Sequence, residues 1–88
     1  MSTTTPSTVT VYGTHQCPYC QMAKQLLASK GIAIEERYVD EDPDRYVEML
    51  ARSGRRTVPQ IFVGEVHIGG YTDLVRESEA GRLAPLLA

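Results

Sequence analysis

The chain has two cysteines, and both stand in one segment, Cys17-Pro18-Tyr19-Cys20, at the junction between a β-rich run and an amphipathic run. Val9-Thr10-Val11-Tyr12 is short and β-prone, and Gly13 follows it as a turn residue. From Pro18 to Lys30, Met22, Ala23, Leu26 and Leu27 recur at helical spacing; Pro18 suits the first helical position and Gly31 the position just past the end. The cysteine pair therefore opens a helix at the end of a strand. Any fold for this chain has to build a strand, a sharp turn and a helix around that pair.

The remaining elements follow from the same signals. Ile32 to Val39 alternates loosely and reads as a second strand. Asp42-Pro43 is a cap and a first-turn proline, Val47, Leu50 and Ala51 form an apolar stripe, and Gly54 closes a second helix. Ile61-Phe62-Val63 and Val66-His67-Ile68 flank Gly64-Glu65 as a hairpin. Thr72 is expected to cap a third helix starting at Asp73-Leu74-Val75, and Leu83, Leu86 and Leu87 form a last apolar turn. The order β-α-β-α-β-β-α predicts an α/β fold in which a right-handed β-α-β unit and an antiparallel hairpin share one four-stranded mixed sheet flanked by helices. At 88 residues the chain holds one domain. Residues 1–7, rich in Ser, Thr and Pro, are expected to form a flexible tail to a domain spanning 8–88.

Composition narrows the function. Nine basic residues against eleven acidic ones leave a net charge of −2 and no basic stripe for a phosphate backbone, so nucleic acid is not an expected partner. The apolar runs are a few residues long, against the ~20 needed to cross a bilayer, and the N-terminus lacks a charged region followed by an apolar one. A cytoplasmic, membrane-free monomer is expected.

A single C-x-x-C pair is a reactive or metal-binding device rather than a disulfide scaffold. Disulfide exchange needs a thiolate, and Cys17 at the cap faces the unpaired N–H groups and positive dipole end of its helix. Cys20 lies about one turn on, within reach of a disulfide formed at Cys17, so Cys17 attacks and Cys20 resolves. The competing reading is a Cys₂His₂ zinc site completed by His15 and His67, but His15 is only two residues from Cys17 and His67 lies beyond the usual spacing.

Cys17-Pro18-Tyr19-Cys20, Thr57-Val58-Pro59 and Gly69-Gly70-Tyr71-Thr72-Asp73 together resemble, in order and separation, the three signature segments of class I (dithiol) glutaredoxins, most closely the small bacterial ones. The resemblance covers roughly Val9 to Leu87. It implies a thioredoxin fold, glutathione as co-substrate with no tightly bound cofactor, and disulfide-bonded or glutathionylated proteins as substrates. It also implies that Pro59 is cis beside the redox pair, with the Val58 backbone pairing with the cysteine of glutathione. Tyr19 and Thr57 then border the glutathione groove, Gly70 permits close backbone approach, Thr72 marks a helix N-terminus for the γ-glutamyl carboxylate, and Asp73 answers its ammonium. Arg52, Arg55 and Arg56 are either a solvated face or include one residue that supports an anionic substrate near Thr57. The chain departs from the family at Thr14, where many members carry a lysine that meets the glycyl carboxylate; a second polar position falls on Tyr46, next to Arg45. The alternative function within the resemblance is an iron–sulfur carrier bridging two subunits through Cys17 and glutathione, against which Pro18 argues.

Overall fold

Strand β1 (Val9–Gly13) lies in the interior of a four-stranded sheet of order β2-β1-β3-β4, and all five of its residues are buried. It pairs in parallel with β2 (Ile34–Tyr38) and antiparallel with β3 (Gln60–Val63), which forms a hairpin with β4 (Val66–Gly69). The computed structural model describes residues 8–87, and the expected tail at residues 1–7 lies outside them. Among the described residues no helix is long and apolar enough to cross a membrane.

Because successive strand residues face opposite sides, the sheet carries two cores. Val9, Val11, Ile61 and Val63 meet Ala23 and Leu27 of α1 (Pro18–Ser29), Leu74 of α3 (Tyr71–Glu79) and Leu83 of α4 (Leu83–Leu87). On the other face Tyr12 and Phe62, edge to face at 5.7 Å, pack against Met49 of α2 (Pro43–Ser53). The thioredoxin-type arrangement of a mixed sheet flanked by helices is the expected one.

Local chemistry explains most element ends. The Asp42 side chain accepts the Asp44 N–H at 2.9 Å, Pro43 follows, and Gly54 takes the left-handed conformation (φ 71°) that stops α2. Three expectations need correction. The second strand begins at Ile34 instead of Ile32, because the Ile32 N–H is spent on the Leu27 carbonyl at the end of α1. The α2 stripe is misplaced: Val47 is 60% exposed and Ala51 is exposed, whereas Met49 is fully buried and Tyr46 packs beside it. That face is chosen by Tyr12, whose hydroxyl donates to Glu48 and accepts from Arg52 at 2.8 Å, drawing polar residues of α2 toward the sheet. Finally, Thr72 does not cap α3. Gly70 is the N-cap residue, and the Asp73 carboxylate reaches back to its N–H at 2.9 Å.

Candidate active site

Strand β1 delivers the chain to the cysteines through Gly13, whose lack of a side chain is a spatial requirement: a Cβ there would lie 2.8 Å from the Cys20 sulfur. Cys17 is the N-cap of α1, and its Sγ accepts the Cys20 backbone N–H at 3.2 Å. A donor aimed at that sulfur is placed to meet negative charge. Cys20 is 3% exposed, and burial, followed by the neighbouring Cys17 sulfur, pushes its thiol up to about 12 against a weaker opposing hydrogen bond from the Thr14 backbone. The pair is thus divided into a partly accessible sulfur and a buried thiol that stays protonated at neutral pH.

The Val58–Pro59 peptide is cis, and the Val58 carbonyl lies 3.9 Å from Cys17 Sγ, within reach of the thiol proton. Beside it runs a groove of about 190 Å³ whose walls include Tyr19, Thr57, Val58, Pro59, Gly70, Thr72 and Asp73, so the segments singled out in the sequence converge there. Tyr19 is 59% exposed and stands 6.0 Å from Tyr71, ring centre to ring centre. Of the two glycines, Gly69 is the constrained one: its φ is 121°, and a Cβ would meet the Asp73 carboxylate at 2.3 Å. Gly70 has room for a Cβ, with the Pro59 carbonyl at an ordinary 3.6 Å.

Arg55, Gln60 and Tyr71 also line the groove. Arg55 donates to Asp73 Oδ2 at 3.1 Å, and Arg76 contacts the other carboxylate oxygen at 3.4 Å. The Gly70 N–H, then Arg55, holds the Asp73 carboxyl below the usual carboxylate range, so Asp73 is ionised. Arg52, three residues earlier, turns the opposite way, stacking on Phe62 at 4.1 Å and bonding the Gly64 carbonyl at 3.1 Å. Arg45 bonds the Tyr38 carbonyl and Glu41, and Tyr46 packs into the Tyr12 core.

The histidines of the zinc reading are engaged elsewhere. His15 stacks on Tyr38 at 3.9 Å with its ring nitrogens facing Asp40 and Glu41, both at 3.0 Å. His67 bonds Gln60 at 2.8 Å. Among the described residues no three His, Cys, Asp or Glu side chains are grouped to hold a metal ion.

Comparison with known proteins agrees with this geometry. The Glutaredoxin family profile matches residues 9–68. The chain belongs to the glutaredoxin family. It is 52% identical over 81 residues to a glutaredoxin of Neisseria meningitidis, covering 91% of this chain and 95% of that one. Identity to glutaredoxin 3 of Escherichia coli is 48% over 79 residues, covering 90% and 95%. Among solved structures, the glutaredoxin of Brucella melitensis superposes with a TM-score of 0.81 at 45% identity, covering 93% of this chain and 89% of that one. A buckwheat glutaredoxin–glutathione complex superposes at 0.83 and 30% identity, covering 92% and 76%. Membership assigns the chain a thiol–disulfide oxidoreductase role, and Cys17 and Cys20 stand close together at the start of α1.

Proposed function

We propose that the chain is a glutathione-dependent oxidoreductase that reduces protein disulfides and glutathione mixed disulfides, with Cys17 as nucleophile. The observation that carries this reading is the capped Cys17 sulfur, bonded by the Cys20 N–H and lying against the Val58 end of the groove. Cys17 as thiolate attacks a mixed disulfide, forming a Cys17–glutathione disulfide and expelling the substrate thiolate, which takes a proton. A second glutathione thiolate then attacks the bound glutathione sulfur, releasing glutathione disulfide and restoring Cys17. For a protein disulfide, Cys20 displaces the substrate from Cys17, and two glutathiones return the resulting Cys17–Cys20 disulfide to the dithiol.

Glutathione in this scheme lies along the groove. Its cysteine main chain pairs with Val58, its γ-glutamyl carboxylate takes the N-terminus of α3 at Gly70 to Thr72, and its ammonium shares Asp73 with Arg55. Tyr19, Thr57 and Pro59 complete the walls. The buckwheat complex supports glutathione as the ligand class. The reading includes a monomer acting in the cytoplasm on disulfide-bonded or glutathionylated proteins; the comparisons do not favour the cluster-bridging alternative.

The test is a coupled assay with glutathione, glutathione reductase and the mixed disulfide of glutathione and mercaptoethanol. Turnover that requires both the protein and glutathione is expected. Reduction of disulfides by the pre-reduced protein with no turnover of the mixed disulfide would overturn the glutathione dependence while leaving the exchange chemistry standing.

A further inference from the structure

Gln60 opens β3 and is fully buried, so its amide has to be hydrogen-bonded at both ends. Its Nε2 donates to the Thr57 carbonyl at 3.0 Å and to the Thr57 hydroxyl at 3.2 Å, while His67 Nε2 stands 2.8 Å from its Oε1. A carbonyl oxygen can only accept, which turns the NH₂ end of the amide toward Thr57 and its oxygen toward His67. His67 must therefore carry a proton on Nε2. The ring is held flat against Phe62, 4.8 Å between centres, and burial together with the nearby Arg55 and Arg52 charges keeps it below its ordinary pKa, with Asp73 opposing. His67 is thus a neutral ring with its one N–H spent on Gln60.

The consequence reaches the groove through one peptide plane. In the trans Thr57–Val58 peptide the C=O and N–H point in opposite directions. With the Thr57 carbonyl tied back to Gln60, the Val58 N–H is turned away from it. We propose that Gln60 and His67 are positioning residues, a brace from β4 across β3 that fixes the Thr57–Val58 peptide and so presents the Val58 backbone to glutathione. This rests on the glutathione reading above.

The test pairs a direct and a kinetic readout. Nitrogen-15 spectra of the full chain should show His67 as the Nε2–H tautomer. His67→Phe keeps an aromatic ring on Phe62 but leaves Gln60 Oε1 without a donor; Gln60→Glu puts an acceptor against the Thr57 carbonyl. Each should raise KM for the glutathione–mercaptoethanol mixed disulfide by about 2- to 10-fold, the scale of one net hydrogen bond, with kcat and the alkylation rate of Cys17 held. Val63→Ala, which loosens the core without touching the brace, should lower stability and leave KM unchanged. An Nδ1–H tautomer, or an unchanged KM in a folded His67→Phe protein, would overturn the brace. Failure of the parent itself to turn over the mixed disulfide would instead overturn the glutathione reading and the groove role with it.

Discussion

The buried Cys20 thiol, pushed up to about 12 chiefly by burial, is a poor nucleophile at neutral pH. Cys17→Ser should therefore lose all measurable exchange, whereas Cys20→Ser should retain turnover of a glutathione mixed disulfide and lose reduction of intramolecular protein disulfides; steady-state assays on both substrates check the split. Asp73 has two duties, as acceptor for the Gly70 N–H and as partner of Arg55. Asp73→Ala should lower stability by about 1 kcal/mol, the usual worth of a helix cap, and also raise KM for glutathione. Arg55→Gln removes only a half-exposed ion pair and should cost under ~1 kcal/mol in the same denaturation experiment. His15 supplies a pH-dependent contact. Its hydrogen bond to Asp40 raises the imidazole pKa above 6.5 and lowers the Asp40 carboxyl below 3.8. The histidine's contribution is complete below its unfolded pKa and is lost as pH rises through the raised folded value. The aspartate's is present above its unfolded pKa and is lost as pH falls through the lowered one. His15→Ala should thus destabilise the protein more at about pH 5.5 than at about pH 9, where the charge-dependent part of the contact is already gone and only the stacking on Tyr38 is lost, as measured by thermal unfolding at the two values.

Elements whose ends are set by neighbouring residues were legible in the sequence. The run from Asp42-Pro43 to Gly54 marks α2 to the residue, and Gly64-Glu65 marks the hairpin, because caps and tight turns are local chemistry. The α3 start was not, since the sequence offers Thr72 as a side-chain cap while the fold uses a glycine with Asp73 reaching back. The buried face of α2 was hidden for a different reason: Glu48 and Arg52, polar in any hydrophobic pattern, are drawn to the Tyr12 hydroxyl. In the site, the cysteine, proline and glycine segments were found from their motifs. Arg55 could not be told from Arg52, because the turn at Gly54 sends them to opposite sides, and Gln60 gains a role only from His67 across the hairpin. Gly13 reads in sequence as a mere turn, yet it makes room for the buried Cys20 thiol. Gly13→Ala brings a Cβ to 2.8 Å from Cys20 Sγ and should cost ~1–3 kcal/mol, the range for overpacking, with the release of protein substrates slowed more than turnover of small mixed disulfides. Equal slowing on both substrates would show that the added methyl disturbs Cys17 as much as Cys20.

Across the whole molecule, the site stands where three separate starts meet: the N-terminus of α1, the entry to β3 and the N-terminus of α3. None of the three is adjacent in sequence, and the two cores hold them in register from opposite faces of the sheet. The α2 face is the smaller of the two, with Met49 fully buried between Tyr12 and Phe62 and with Val58 packed at its edge. That makes Met49 a sensitive test of how the molecule is held together. Met49→Ala leaves a cavity in a core that has few other apolar side chains to collapse into it, and should cost ~2–5 kcal/mol. Val47→Ala, two residues away on the exposed side of the same helix, should stay within about 0.5 kcal/mol. Urea unfolding of both variants, read from the midpoint with an unchanged slope, separates the two faces. A loss at Val47 as large as that at Met49 would mean that α2 packs through the stripe its hydrophobic pattern suggests, and that Tyr12 does not choose its face.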